Sequence, residues 1–366
     1  HPLWGLPILF LVLLGMYLFV GRLGAGTLVN FIEGTLFGEW VNPVVSQFIR
    51  ALIPFELVQD LLVGKYGVIT VALTYGFAII LPIVFTFFIA FGLLEDSGYL
   101  PRLAVMADRI FKTMGLNGKA VLPMVLGLGC DTMATMTTRT LETKKDRILV
   151  TLLLALGVPC SAQLGVVLGM LAGLDARATL IWTGVTAAVL IAVGWLAARL
   201  IPGSTSDFIL ELPPLRMPKV SHLAIKTLAR LEWYLKEVLP LFIFGTLVLF
   251  VLDRLNVLTA LERAAEPLIV NWLGLPAQAT EAFLLGFLRR DYGAAGLFLM
   301  AREGLLTPDQ IIVALVTITL FVPCIANFFV MVKERGLKTA LAITAFIFPF
   351  AFFIGGLLNS ILRLWN

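Results

Sequence analysis

Three cysteines and the residues next to them offer the clearest chemistry in this sequence. Cys130 is followed by Asp131 and, three positions on, by Met133. Because positions i and i+3 share one face of a helix, the thiol and the thioether point the same way. Thiolate and thioether sulfur select softer transition metals, whereas Mg²⁺ or Ca²⁺ would require a cage of oxygen ligands. The segment therefore predicts a site for a divalent transition metal.

The other two cysteines occur in a repeated pattern. Each follows a proline and precedes an amide by three residues, in Pro159-Cys160 with Gln163 and in Pro323-Cys324 with Asn327. Proline lacks an N–H and clashes with the preceding turn, so we expect each helix to open locally at this point. The thiol and the amide of each pair share a helical face. Each pattern therefore offers one soft and one hard ligand to the same site.

A packing role competes with each of these assignments. Buried cysteine is one of the commonest small apolar fillers of protein interiors. Gln163 and Asn327 would also serve as hydrogen-bonding groups between helices. Cys130 is the better ligand candidate, since it lies between Gly129 and the carboxylate of Asp131. The sequence leaves ligand and packing roles open at these positions.

Cys130 and Asp131 lie within an interrupted apolar run, Leu122–Arg139, which contains Pro123 and two glycines. Irregular backbone and a charge at membrane depth are tolerated only where protein buries them or where they line a water-filled cavity. We therefore predict a re-entrant hairpin that holds a cation. A second interrupted run occurs at Glu281–Met300.

Composition places these runs in a membrane. Of the 366 residues 60% are hydrophobic and 14% are charged, whereas soluble domains have roughly 45 to 50% apolar residues. The net charge of +4 would suit nucleic acid, but the basic residues lie in short loops between apolar runs, which is typical of cytoplasmic loops. Three cysteines in apolar surroundings argue against an extracellular disulfide framework. The sequence predicts an all-α polytopic membrane protein that does not bind nucleic acid.

The apolar runs predict four regions. We assign a first transmembrane helix and an external amphipathic segment to 1–66, a first repeat to 67–201, a cytoplasmic linker to 202–233, and a second repeat with the C-terminal helix to 234–366. A helix that crosses the hydrocarbon core needs about 20 mostly apolar residues, which here gives about seven full spans plus the two hairpins. The predicted spans are Pro2–Val20, Gly67–Leu94, Ile148–Gly173, Ala178–Ile201, Tyr234–Leu252, Gln310–Val332 and Thr339–Leu362.

Short motifs recur at a nearly constant separation. Gly115-Leu116 recurs as Gly274-Leu275, and Leu126-Gly127 recurs as Leu285-Gly286, both 159 residues later (274 − 115 and 286 − 127). If the first hairpin enters the membrane and returns to the same side, all basic loops face the cytoplasm, as the positive-inside rule favours. The two halves are then inverted, as in many secondary transporters whose substrate binds near the midplane.

The second interrupted run holds Arg289, Arg290 and Asp291 where the first holds Cys130 and Asp131. We interpret these three residues as a gate that closes by ion pairing, with a purely structural ion-pair cluster as the alternative. Glu95 and Asp96, at the end of the second predicted span, are assigned to the gate as well. A solvated helix end is the competing interpretation for those two acidic residues.

Several motifs resemble the membrane part of the bacterial ferrous iron transport protein B family, FeoB. They are Glu95–Arg102, Gly129–Glu142, Gly157–Gln163, Glu211–Pro214 and Val322–Cys324. The resemblance implies Fe²⁺ uptake across the cytoplasmic (inner) membrane through two Gate repeats, with Fe²⁺ as the substrate. It carries the family's Gate cysteines over to Cys130 and Cys324. Asp131-Thr132 stands where many members have Asn-Val, so the charge at the hairpin tip differs.

The resemblance also implies a cytosolic GTPase domain before the first span. This chain has no G-x-x-x-x-G-K-[ST] loop, because Gly115–Ala120 is too short and lacks the hydroxyl. We therefore expect a truncated or proteolysed form with no enzymatic activity, in which GTP and Mg²⁺ belong to the missing domain. That domain, membrane lipid and a small cytosolic accessory protein of the same iron system are the expected partners. The sequence does not determine whether the chain forms a homo-oligomer.

Other functions compete with Fe²⁺ transport. Mn²⁺, Zn²⁺ or Co²⁺ would suit the same ligands, because selectivity among divalent metals depends on geometry and availability. A nucleoside transporter would need aromatic stacking and several polar groups at the hairpin tips, which three thiols do not provide. A membrane thiol oxidoreductase would favour a C-x-x-C pair, and the sequence has none. A scaffold or sensor without transport activity also stays open.

Overall fold

The computed structural model describes residues 11, 14–15, 17–64, 67–116, 118–203, 216–288, 290–321 and 323–365. Every regular element within these residues is a helix. The α-helices are α1 (Asn42–Leu52), α2 (Glu56–Val63), α3 (Leu81–Asp96), α4 (Tyr99–Thr113), α5 (Val121–Gly127), α6 (Asp131–Thr137), α7 (Lys144–Gly157), α8 (Ser161–Leu171), α9 (Ala176–Leu200), α10 (Val220–Arg254), α11 (Val257–Pro267), α12 (Ala279–Leu288), α13 (Arg290–Arg302), α14 (Pro308–Leu320), α15 (Ile325–Arg335) and α16 (Leu337–Trp365). Wider π-helical turns form Tyr17–Leu28, Asn30–Val41, Val68–Leu73, Tyr75–Ile80 and Leu268–Trp272, and short 3₁₀ turns form Gly118–Ala120 and Thr138–Thr140.

Five helical segments among the described residues are long and apolar enough to cross a membrane. They are Gly76–Asp96, Lys144–Leu171, Ala176–Leu200, Pro308–Arg335 and Leu337–Leu364. The prediction of an all-helical, multi-pass membrane protein is therefore confirmed, while the number of spans and hairpins stays a prediction. The predicted span Pro2–Val20 lies mostly outside the described residues. The predicted span Tyr234–Leu252 lies within α10, which begins at Val220, inside the segment assigned to the linker.

The chain divides into two compact units, each built from two stretches of sequence. The first comprises His1–Arg102 and Leu212–Thr259, and the second comprises Leu103–Glu211 and Ala260–Asn366. In the first unit, α3 packs against α10 and against Tyr17–Leu28. The second unit contains both interrupted runs and all three cysteines.

Prolines interrupt two of the long apolar helices where the sequence predicts openings. α7 ends at Gly157 and α8 begins at Ser161, on either side of Pro159. α14 and α15 are separated in the same way around Pro323. A proline removes the donor for the carbonyl four residues earlier and its ring crowds that carbonyl, so the helix cannot continue through it. Both breaks leave backbone carbonyls without an intrahelical donor.

α16 packs closely against its neighbours through a glycine. A Cβ atom built at Gly355 would overlap the Thr317 side chain of α14 and lie 2.7 Å from Leu273 Cδ2. Replacing Gly355 with leucine is therefore expected to lower the melting temperature of the detergent-solubilised chain. Overpacking of an interior costs about 1 to 3 kcal/mol, and thermal unfolding followed by the monodisperse fraction in size-exclusion chromatography measures the loss.

The matched control for this variant is Gly184→Leu in α9. Gly184 is exposed, and a Cβ there would meet nothing within 4 Å. Leucine has a higher helix propensity than glycine by roughly 1 kcal/mol at most, so the melting temperature should stay the same or rise. Equal losses in both variants would contradict the close contact at Gly355.

Candidate functional site

Cys130 lies at the break between two short helices of the second unit. The backbone N–H groups of Gly129 and Cys130 both donate to Leu126 O, each at 2.9 Å, and close a tight turn after α5. Cys130 has extended backbone (φ −154°, ψ 115°) and immediately precedes α6. The backbone N–H groups of Thr132 and Met133 lie near its sulfur. The turn therefore holds the thiol at the start of α6.

Cys324 lies at the break between α14 and α15. Its backbone is also extended (φ −58°, ψ 156°) just before α15 begins. The backbone N–H of Asn327 and the side chain of Thr132 lie near its sulfur. Both sulfurs therefore lie near Thr132. The structure thus brings together one cysteine from each of the two predicted repeats, and Thr132, which sequence reasoning missed, lies between them.

Cys160 lies at the break between α7 and α8, beside the same turn. The backbone N–H and the hydroxyl of Ser161 both donate to Gly129 O, at 3.2 and 3.0 Å. All three cysteines are half-buried, and none of them forms a disulfide bond. Within the described residues, no group of three or more thiol, carboxylate or imidazole side chains has the spacing of metal ligands. The thiols approach one another without forming a closed ligand cage.

The two predicted amide ligands are fully buried and connect helices. Gln163 Nε2 donates to Ile318 O at 3.0 Å, which ties α8 to α14. Thr135 Oγ1 donates to Asn327 Oδ1 at 2.9 Å, which ties α6 to α15. Gln163 Oε1 and Asn327 Nδ2 are buried without a hydrogen-bond partner among the described residues. Each amide thus has one such polar atom. Burying a polar group without a partner costs about 1 to 3 kcal/mol of stability. The side chain of Met133 is buried as well.

Arg290, at the start of α13, reaches the turn and both helix breaks from a buried position. Its Nη1 lies 2.5 Å from Asp131 Oδ2 and donates to Val158 O at 3.0 Å. Its Nη2 donates to Phe321 O at 3.1 Å and to Ala155 O. The side chains of Arg290 and Asp131 are 3% and 4% exposed, so this ion pair is shielded from solvent.

The Asp131–Arg290 pair joins equivalent positions of the two interrupted runs. Their separation is 159 residues (290 − 131), the same as that of the repeated glycine motifs. Sequence reasoning assigned Asp131 to a metal and Arg290 to a gate, and missed that each is the partner of the other. The constant separation was the signal that could have found the pair. Arg289 lies outside the described residues, as does the side chain of Asp291.

The other two predicted gate residues lie in the first unit, at the end of α3. Glu95 Oε2 lies 2.7 Å from Arg230 Nη2, and Asp96 Oδ1 lies 2.5 Å from Lys226 Nζ. Both basic residues belong to α10. The guanidinium of Arg230 also lies over the ring of Phe91, with its carbon 5.4 Å from the ring centroid. Glu95 and Asp96 are therefore paired residues and not a simple solvated helix end.

A further charged group connects the end of the first interrupted run to α15. Arg139 Nε donates to Glu334 Oε2 at 2.8 Å, and Glu334 is 6% exposed. Arg335 Nη2 donates to Thr138 Oγ1. Sequence reasoning did not single out these residues, because each is an ordinary member of a basic loop. Together they fix the segment after α6 to the end of α15.

Two family models match the chain. The Gate model, described as nucleoside recognition, matches residues 77–174 and 235–338, which is more than half of the chain. The model for the ferrous iron transport protein B C terminus matches residues 179–230. No solved structure matches.

Curated relatives share the name that the sequence motifs suggested. The Fe(2+) transporter FeoB of Staphylococcus aureus (strain COL) is 26% identical over 96% of this chain and 57% of its own length. The Fe(2+) transporter FeoB of Methanocaldococcus jannaschii is 28% identical over 83% of this chain and 49% of its own length. An Fe(2+) transport protein A/Fe(2+) transporter FeoB fusion protein of Porphyromonas gingivalis is 30% identical over 69% of this chain and 29% of its own length. The resemblance is confirmed. The chain spans about half the length of the first two relatives and a smaller share of the fusion protein.

Replacing Asp131 with asparagine is expected to destabilise the chain strongly. The substitution leaves the Arg290 guanidinium buried without its counter-ion, and breaking a buried pair in this way costs about 3 to 5 kcal/mol. The double variant Asp131→Asn with Arg290→Gln removes both charges and should recover part of the loss. Thermal unfolding of the four proteins in detergent gives the interaction energy as a double-mutant cycle.

The matched control is Asp60→Asn, which breaks the pair of Asp60 and Arg254. That pair is 2.8 Å long, but its side chains are 56% and 52% exposed. Exposed pairs contribute roughly 0 to 1 kcal/mol, so this variant should melt close to the wild type. A loss at Asp131 no larger than the loss at Asp60 would show that the buried pair contributes little to stability.

Proposed function

Because the chain belongs to the Gate, or nucleoside recognition, family, we propose that it forms the transmembrane pathway by which Fe²⁺ crosses the cytoplasmic membrane. Its curated relatives are named Fe(2+) transporters, and residues 179–230 match the ferrous iron transport protein B C terminus. The apolar helices supply the multi-pass body that such a pathway requires. Fe²⁺ is the cargo of this pathway.

The positions of Cys130 and Cys324, whose sulfurs both lie near Thr132, carry the proposal. Each thiol lies at a break before a helix, and the two sulfurs come from different halves of the chain. Thiolates favour the softer divalent transition metals over Mg²⁺ and Ca²⁺. The unwound backbone at such breaks is where transporters with discontinuous helices bind ions and substrates. Fe²⁺ would bind between these two thiols.

The remaining predicted ligands would supply weaker donor atoms to the Fe²⁺ site. Gln163 and Asn327 offer amide groups, each of which has one buried polar atom without a partner among the described residues. Cys160 and Met133 add a third thiol and a thioether. Asp131 has one oxygen, Oδ1, that is buried without a hydrogen-bond partner in the described part of the chain. Small shifts of these side chains would complete a mixed sulfur and oxygen coordination shell.

Ion pairs would close the pathway. The buried contact of Arg290 with Asp131 supports a gate at the hairpin tip, and we assign Arg289 and Asp291 to the same gate. Glu95 and Asp96 would form a second closure at the end of α3, supported by their contacts to basic residues of α10.

The architecture that fits this function is a pair of inverted Gate repeats, at 67–201 and 234–366. Both segments that the Gate model matches lie inside these ranges, which supports the assignment. The re-entrant hairpins would be α5 with α6 and α12 with α13, within about seven full spans. The first transmembrane helix and external segment at 1–66 and the cytoplasmic linker at 202–233 would flank the repeats.

Partners outside this chain would regulate the pathway. The relatives are about twice as long as the matched region, and we assign GTP hydrolysis with its Mg²⁺ to a GTPase domain outside these residues. The fusion protein of Porphyromonas gingivalis joins an Fe(2+) transport protein A to a FeoB chain, which supports a small accessory protein as a partner. Membrane lipid surrounds the body, and a homo-oligomer is compatible with it.

The description of the Gate family as nucleoside recognition favours a second candidate, a nucleoside site. Base recognition would require aromatic stacking beside several polar groups. The residues at the first turn are Gly129, Cys130, Asp131 and Thr132, none of which is aromatic. Fe²⁺ is therefore the better-supported cargo, and the binding experiment includes a nucleoside.

Removal of either thiol is expected to weaken Fe²⁺ binding to the purified chain. Under anaerobic conditions, Cys130→Ser and Cys324→Ser should each lower the affinity roughly 10-fold or more, because a hydroxyl replaces a soft ligand. Isothermal titration with Fe²⁺ measures the affinity. Zn²⁺, Mn²⁺ and Co²⁺ are expected to compete to different extents, and adenosine is expected to have no effect.

The matched control is Ser161→Ala, which removes a hydrogen bond to Gly129 O but keeps all three thiols. This variant should bind Fe²⁺ with nearly wild-type affinity. Unchanged binding in both cysteine variants would return the thiols to a packing role. Competition by adenosine would favour the nucleoside site instead.

A further inference from the structure

The Arg290 guanidinium lies in a pocket made of oxygen atoms. A carboxylate oxygen of Asp131 lies 2.5 Å from Nη1, and the carbonyl oxygens of Val158 and Phe321 accept hydrogen bonds at 3.0 and 3.1 Å. The carbonyl oxygen of Ala155 accepts a further bond. The acceptors come from three helical breaks that are far apart in sequence. The guanidinium of Arg290 thus contacts all three breaks.

The backbone carbonyls in this pocket are free because of the breaks themselves. Ala155 is four residues before Pro159, which has no N–H to donate to it. Val158 and Phe321 follow the last turns of α7 and α14, where terminal carbonyls lack intrahelical donors. Each helix C-terminus also carries a partial negative charge, equivalent to about half an electron charge. Two helix ends and one carboxylate thus converge on the same cation.

Oxygen ligands of this kind suit a small hard cation. Carboxylate and carbonyl groups bind hard metal ions. Transporters with discontinuous helices hold Na⁺ with unwound backbone carbonyls and half-helix C-termini. Asp131 Oδ1 is buried and has no hydrogen-bond partner among the described residues, so the pocket retains ligand capacity. We propose that this pocket is a Na⁺-type cation site which the guanidinium of Arg290 occupies as a tethered cation.

The repeat places the tethered cation opposite its counter-ion. Asp131 and Arg290 are equivalent positions of the two interrupted runs, since both lie on the 159-residue separation. One run supplies the anion and the other supplies the cation for the same pocket. A tethered cation does not dissociate, so the wild-type chain should not depend on Na⁺ for its stability. This inference rests on the contacts of Arg290 and is independent of iron.

Removal of the guanidinium should make the chain respond to free cations. The purified full chain is kept free of iron in detergent, and its melting temperature is measured in NaCl, in choline chloride at the same ionic strength, and with millimolar guanidinium added to choline chloride. Arg290→Ala should melt low in choline chloride and rise by about 5 °C or more, saturably, with Na⁺ or guanidinium. The wild type should show the same melting temperature in all three solutions.

Two further variants separate a cation site from a general salt effect. Arg290→Lys keeps a tethered charge and should not respond to Na⁺. Arg290→Ala with Asp131→Asn lacks the carboxylate and should lose the response. The proposal is overturned if Arg290→Ala melts alike in all solutions, or if the double variant responds equally. It is also overturned if Arg290→Ala is unfolded even when purified in Na⁺ and guanidinium while the double variant folds.

Discussion

The backbone carbonyls at the broken helices set the central constraint of the second unit. A membrane interior offers no water to satisfy them, so a break in a spanning helix is tolerated only where protein supplies a donor. Arg290 supplies donors to the carbonyls of Ala155, Val158 and Phe321, and Asp131 balances its charge. The contacts of the guanidinium to these carbonyls therefore depend on the breaks around Pro159 and Pro323.

The same breaks create the positions from which the thiols could act. In a continuous helix the side chains of Cys130 and Cys324 would pack against the preceding turn. Both residues instead have extended backbone just before the helix that follows, and backbone N–H groups of that helix lie near their sulfurs. Each break gives up helical hydrogen bonds and in return places a cysteine in extended backbone at the candidate site. The proposed metal site and the buried ion pair both lie at breaks in the helices.

Local chemistry made the breaks predictable, whereas the partners across the fold were not. Pro159 and Pro323 act within one turn of themselves, so the sequence was enough to place both openings. The pairing of Asp131 with Arg290 depends on how two interrupted runs 159 residues apart meet, which side-chain type alone does not determine. The repeat separation contained that information, but it became meaningful only once the two runs were known to pack together. Likewise, the partners of Glu95 lie on α10, whose first turns were polar enough to be taken for a linker.

Charge balance distinguishes the roles of the acidic and thiol groups in cation transport. Asp131 and Arg290 neutralise each other, so a cation bound by Asp131 alone would have to displace a guanidinium that four oxygen atoms hold. Two thiolates carry the two negative charges that Fe²⁺ requires, and metals bind cysteine as thiolate with release of protons. Binding between Cys130 and Cys324 would therefore add no net charge to the membrane interior. The thiols are thus the proposed metal ligands, and the ion pair is the proposed gate beside them.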